Sequence, residues 1–249
     1  MELRIENIAV ARGGSIALRI DGEVRLASPG LVQVIGPNGG GKTTLLLALA
    51  GLAKTVRGRI LVDGINIASD PEKAGRFVSF MPQDIWSRVP QLPLTPIELL
   101  TLHYKTLGIV EGVEPESLLE SVGVSRSAAR SPLHMLSPGV RQRVFLAIAV
   151  FSRKPIVLLD EPLSAIDPEG RVELSRVIAG ASRDNLILVS SHDPELLLDS
   201  TSTIILVASG RLVAWGPSGE VLREDILERV YGELLTAYAG HLHITEGHH

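Results

Sequence analysis

Eight consecutive residues, Gly36-Pro37-Asn38-Gly39-Gly40-Gly41-Lys42-Thr43, have the types and spacing of a cradle for a triphosphate. In the pattern G-x-x-x-x-G-K-T the glycines let successive backbone N–H groups converge on phosphate oxygens. Lys42 would reach the β- and γ-phosphates, and the Thr43 hydroxyl would hold Mg²⁺. A second group with chemical potential is Asp160-Glu161, which closes the apolar run Ile156-Val157-Leu158-Leu159. Two adjacent carboxylates repel each other unless a cation sits nearby. Either they are solvated acids at a strand end, or Asp160 serves a Mg²⁺ ion and Glu161 polarises an attacking water. The phosphate loop in the same chain favours the second reading.

These groups need elements to carry them. The loop follows an apolar run, Leu31-Val32-Gln33-Val34-Ile35, and precedes a helical pattern over 44–52. Strand, glycine loop and helix in that order aim a helix N-terminus at the anion. The first segment reads as antiparallel β: residues 3–8 alternate, and Asp21-Gly22 within 16–26 carries a hairpin signal. Further strands are expected over 58–64 and 77–81. From 85 to 136 the pattern turns helical, with Pro90, Pro93 and Pro96 punctuating a loop and Thr95 placed to cap a helix that starts at Pro96. Beyond it the α/β alternation resumes: helix 139–152, strand 156–159, helix 168–181, strand 186–190, and a strand pair over 204–207 and 212–215. Alternating β and α elements imply a mainly parallel sheet with helices on both faces.

Composition narrows the class. The chain has 249 residues, 45% hydrophobic and 21% charged, enough for a substantial core. A net charge of −4 gives no bulk attraction to nucleic acid or anionic lipid, and no nucleic-acid partner is expected. The absence of cysteine excludes disulfides and thiolate metal sites within the chain. Its longest apolar run, 144–151, is far shorter than the ~20 residues of a spanning helix. The start, Met1-Glu2-Leu3-Arg4, runs into a strand pattern, so no secretory leader is expected.

Taken together the motifs resemble the ATP-binding cassette (ABC) ATPase family, over nearly the whole chain. Besides the phosphate loop and Asp160-Glu161, Gln83 stands where the family has its glutamine loop, and Leu136-Ser137-Pro138-Gly139 where its signature opens a helix. Ser164-Ala165-Ile166-Asp167 matches the family's D-loop, and Ser190-Ser191-His192-Asp193 its switch histidine. The resemblance implies an α/β P-loop NTPase core with a mainly parallel sheet, an N-terminal antiparallel β subdomain and an inserted α-helical subdomain. One ABC ATPase domain would span 1–249, with the insert over about 85–136 and a tail over about 218–249. It implies ATP and Mg²⁺ as ligands, with Gly36, Pro37, Asn38, Gly39, Gly40, Gly41, Lys42, Thr43 and Thr44 on the nucleotide. Glu161, His192 and Gln83 would form the catalytic set, and Thr43, Gln83 and Asp160 the Mg²⁺ set. Ser137, Gly139 and Asp167 would contact the nucleotide of a second, identical subunit.

Two departures stand out. The usual signature Leu-Ser-Gly-Gly-Gln is here Leu136-Ser137-Pro138-Gly139-Val140, so one backbone N–H is missing. No aromatic residue stands near the N-terminus to stack on adenine, and Arg12 falls nearest that place, either stacking by its guanidinium plane or lying exposed in a turn. The resemblance implies the cytoplasmic motor of a membrane transporter, peripheral on the inner face of the membrane, a homodimer working on separate transmembrane permease subunits. Leu92-Pro93-Leu94-Thr95-Pro96 and Tyr231-Gly232 are similar to subunits of metal and iron-chelate importers. The alternatives are a soluble ABC ATPase of the Fe–S assembly kind and a weakly hydrolysing nucleotide-dependent regulator. The histidines at 241, 243, 248 and 249 read as a surface tail or tag remnant, or as a metal-sensing tail.

Overall fold

The computed structural model describes residues 1–83, 85, 93–109, 111–191 and 195–231. The chain begins with β1 (Glu2–Arg12), β2 (Ser15–Arg19), β3 (Glu23–Ala27) and β4 (Gly30–Ile35). Helix α1 (Lys42–Leu49) leads to β5 (Lys54–Val62), β6 (Ile65–Asn66), α2 (Pro71–Phe77) and β7 (Val78–Met81). Three helices follow, α3 (Pro96–Thr106), α4 (Pro115–Ser121) and α5 (Arg126–Ala129), then the longer α6 (Pro138–Val150). Strand β8 (Ile156–Asp160), α7 (Pro168–Ala181), β9 (Leu186–Ser190) and α8 (Glu195–Leu198) return the chain to the sheet. It ends in β10 (Thr203–Ala208), β11 (Arg211–Gly216), α9 (Ser218–Val221) and α10 (Glu224–Tyr231).

The eleven strands among the described residues belong to one sheet, ordered β6-β5-β1-β2-β11-β10-β4-β9-β8-β7, with β3 also paired to β1. From β10 to β7 every neighbour is parallel, while β1 pairs antiparallel with β2, β3 and β5, β5 with β6, and β10 with β11. The class is α/β, as the alternation implied; the sheet as a whole is mixed, its parallel part running from β10 to β7. Burial explains why the inner strands carry no polar face: β8 and β9 are buried at every position. Their side chains alternate between two cores. Ile156, Leu158, Leu186 and Leu188 join Leu45, Leu46 and Leu49 of α1 on one face. Val157, Leu159, Ile187 and Val189 meet Phe145 and Leu146 of α6 and Leu174 of α7 on the other. The period of two decides which helix each residue touches.

The described helices of the 85–136 stretch dock on that second core through Leu100, Tyr104, Leu119 and Val122. Thr95 caps α3 in a full capping box with Glu98, and Pro96 is its first residue. An Asp-Pro pair opens two other helices, Asp70-Pro71 at α2 and Asp167-Pro168 at α7, each Asp accepting a backbone N–H. Only the second was expected from sequence.

The N-terminal hairpin is not where Asp21-Gly22 suggested. Residues 9–12 of β1 pair with β2, and residues 2–6 of the same strand pair with β3. Strands β2 and β3 thus run end to end along one long partner rather than folding on each other. The tight turn lies at Gly13-Gly14, where φ is 60° and 85° at the two central residues. Two consecutive left-handed residues are what a two-residue turn of matching twist needs. At Gly22 the chain only jogs, held by its N–H to Asn7 Oδ1 and by the Asn7 N–H to its own carbonyl.

Candidate functional site

Parallel register brings the chemistry to one edge. Val34 lies opposite Ser190, Ser190 opposite Asp160, and Met81 opposite Leu159. The carboxyl ends of β4, β9, β8 and β7 therefore line up, the usual ligand edge of open α/β sheets. Past those ends the chain supplies the 36–43 loop, Ser191, Glu161 and Gln83 in turn.

A cleft of about 690 Å³ opens there, lined by Arg12, Gly13 and Ala17 on one side and by Asn38, Gly39, Gly40, Gly41, Lys42, Thr43 and Thr44 along its floor, with Gln83 and Glu161 opposite. That size suits a nucleotide-sized ligand. Among the described residues no aromatic side chain lines it. Arg12 is exposed, at the last position of β1 before the Gly13-Gly14 turn.

The phosphate loop is fixed by close backbone approach. Gly36 has φ of 146°, and a Cβ there would stand 1.9 Å from the Val207 carbonyl of β10. No other residue fits that position. Helix α1 has no side-chain cap and no acid in its first turn, so its first N–H groups stay available to an anion. Lys42 is buried, its ammonium turned into the loop to donate to Gly36 O at 2.7 Å and Pro37 O at 3.2 Å. Burial pushes its pKa below the ordinary lysine value, and the negative charges of Glu161 and Asp160 oppose that shift.

Asp160 is 1% exposed. Its Oδ1 accepts from Ser190 Oγ at 2.6 Å, while Oδ2 is buried and has no partner among the described residues. A buried carboxylate oxygen left open is costly unless a cation or water completes it. Together with the Thr43 hydroxyl at the cleft, this donor set fits a hard, oxygen-seeking ion such as Mg²⁺. No group of three acidic or histidine side chains clusters among the described residues, so such an ion would depend on phosphate oxygens for the rest of its shell.

Glu161 adopts φ of 49°, which is uncommon for a residue with a side chain. Its N–H is held by Ser190 O at 3.2 Å and Ser190 Oγ at 3.0 Å, and its Oε2 accepts from Gln83 Nε2 at 3.1 Å. The structure thus brings Lys42, Asp160, Glu161 and Gln83 to one place. It does not bring Ser137, Gly139 or Asp167 to this cleft. Ser137 and Asp167 are exposed elsewhere as N-caps of α6 and α7, the Ser137 contact to Val140 N being long at 3.4 Å. His192 lies outside the described residues, as do Leu92, Gly232 and the histidines at 241, 243, 248 and 249.

Two residues that sequence reasoning passed over stand behind the site. Ser190 bridges Asp160 and Glu161. Gln142 of α6 is fully buried and bonds to the turn after Glu161. Its signal was present: positions 142, 145, 146 and 149 form one helical stripe, and the first is an amide among apolar residues.

A glycine-rich loop between β4 and α1, with an acidic strand end two strands away, defines the phosphate-loop class of nucleoside-triphosphate-binding α/β proteins. The family described as ABC transporter matches residues 23–164, more than half of the sequence, and the chain belongs to that family of ATP-binding ATPases. Similar proteins include the energy-coupling factor transporter ATP-binding protein EcfA of Methanothermobacter thermautotrophicus, 33% identical over 80% of this chain. This chain spans 65% of that relative's length. The hemin import ATP-binding protein HmuV of Pseudomonas fluorescens is 34% identical over 92% of both chains. The lipopolysaccharide export system ATP-binding protein LptB of Haemophilus influenzae is 27% identical over 81% of this chain and 85% of its own. A solved ATP-binding subunit of an ABC transporter superposes with a TM-score of 0.77 at 24% identity, covering 94% of this chain and all of its own, which establishes the fold. Among the described residues no helix is long and apolar enough to cross a membrane.

Proposed function

We propose that this chain hydrolyses ATP as the motor of a membrane transporter, seated on the cytoplasmic face against separate membrane-spanning subunits. The observation that carries the proposal is the convergence of Lys42, Asp160, Glu161 and Gln83 on the edge where the phosphate loop opens. The N–H groups of 39–43 cradle the phosphates, and Lys42 leaves the loop carbonyls for the β- and γ-oxygens. Thr43, Asp160 Oδ2 and Gln83 would hold Mg²⁺, which would supply neutralising charge to the phosphates. Glu161 accepts the proton of the attacking water, aimed by Gln83, and His192 contacts the γ-phosphate. Arg12 covers the base. Two copies pair head to tail, so that Ser137, Gly139 and Asp167 of each complete the site of the other. Ser137 and Asp167 are exposed in the single chain, Gly139 is half-buried, and none of the three lines its own cleft, which agrees with that arrangement.

Uptake of a metal chelate is the cargo reading, supported by a relative of which this chain spans 92%, a hemin import protein. Purification from native membranes tests the whole proposal. It expects multi-span subunits to co-purify, ATP-dependent pairing, and phosphate release that rises when those subunits are present. A chain that hydrolyses ATP with no membrane partner would be a soluble ATPase instead.

The altered signature makes a smaller prediction. Pro138 is the first residue of α6 and cannot offer an N–H to the partner's nucleotide. Replacing one neutral donor is worth about 1 kcal/mol, so Pro138→Gly should raise steady-state turnover about fivefold at saturating ATP. An unchanged rate would mean that the donor is not used.

A further inference from the structure

The peptide that carries Glu161 is gripped at both ends by side chains from different elements. On the N–H side stands Ser190 of β9, as described. On the carbonyl side stands the Gln142 amide, whose Nε2 lies 3.3 Å from Glu161 O, 2.6 Å from Pro162 O and 3.4 Å from Ser164 Oγ. Its Oε1 accepts the Ala165 N–H at 2.9 Å. One buried amide therefore fastens the whole turn from 161 to 165 to helix α6. A left-handed, side-chain-bearing residue such as Glu161 persists only where its surroundings over-determine it.

We infer that Gln142 is a positioning residue for Glu161, and that it makes the signature helix and the aim of the catalytic carboxylate one rigid unit. The inference rests on the proposed role of Glu161 as general base. Gln142 lies five residues beyond Ser137 on the same helix, about 7.5 Å along its axis, so a displacement of the Ser137 end is carried to the Glu161 carbonyl. Closure of a partner on Ser137 and Gly139 would thus be felt at this chain's own carboxylate. Gln142 itself does not line the cleft. Its effect is confined to where the carboxylate points.

Gln142→Met tests this, because methionine fills the same space and makes none of the four contacts. Misplacing a reacting group by about an ångström costs up to about a hundredfold in rate, so kcat should fall about ten- to a hundredfold. KM for ATP should stay within about twofold, since the phosphate loop is untouched. The same substitution in a Glu161→Gln background should cost nothing further, because there is no longer a base to aim. Unchanged kcat in Q142M, or losses that multiply in the double variant, would overturn the inference. If Q142M does not fold, Gln142→Asn, which keeps the amide and withdraws it by one methylene, is held to the same outcomes. Turnover unaffected by Glu161→Gln alone would instead remove the base assignment beneath it, so the two failures are distinguishable.

Discussion

Glu161→Gln is expected to lower ATP turnover by about a hundred- to ten-thousandfold while nucleotide binding persists. The substitution preserves the shape of the side chain and removes only its basicity. Its backbone clamps are main-chain contacts at Glu161 N and O, which glutamine retains. The contact to Gln83 Nε2 can also survive, through the new amide oxygen. Stability should change by no more than about 0.5 kcal/mol. Binding persists because the phosphates are held elsewhere, by the loop N–H groups and Lys42. One negative charge facing the triphosphate disappears, so affinity should hold or improve. The measurement pairs phosphate release with retention of labelled ATP on the same sample. Turnover within about threefold of the parent would show that another group accepts the proton.

What sequence revealed and what it hid follow from how far each signal reaches along the chain. The phosphate loop was legible because all its determinants are contiguous: an apolar strand, spaced glycines, then Lys42-Thr43 at a helix start. The acidic pair was legible for the same reason. The N-terminal hairpin was misplaced because Asp21-Gly22 and Gly13-Gly14 are equally good local turn signals. Only the length of β1, which pairs with two successive strands, decides between them. Helix α2 announced itself by Asp70-Pro71, the same signal recognised at Asp167-Pro168, but its seven residues are too few for periodicity to confirm. The clamps around Glu161 were hidden for a different reason. Gln142 and Ser190 act on residues roughly 20 and 30 positions away, and only the stacking of α6 and β9 against β8 brings them there. A buried amide on an apolar stripe says that a polar partner exists, not which one.

Lys42→Met is the second large effect, and it separates binding from folding. The ammonium is buried at a cost, offset by two backbone acceptors and by the charges of Asp160 and Glu161. Methionine removes the cost and the contacts together, so the nucleotide-free protein should melt within a few degrees of the parent. ATP affinity should fall about a hundredfold, since a hydrogen bond to a charged group is worth about 1.5–3 kcal/mol. At ATP a hundredfold above the parent's Kd, bound ligand stabilises by about 2.7 kcal/mol, and the variant retains only about 0.4. At this chain length that is a ligand-induced rise of about 5–10 °C against about 1 °C. The pH dependence has a defined sign. The folded pKa of Lys42 is depressed, so between that value and the ordinary lysine value the unfolded chain binds more protons than the native one. The burial penalty is fully present below the folded pKa and is relieved as pH rises through that window. The parent should therefore gain stability there relative to the variant, whose side chain does not titrate. A variant that kept the full ATP-induced rise would show that the phosphates lie beyond the reach of Lys42.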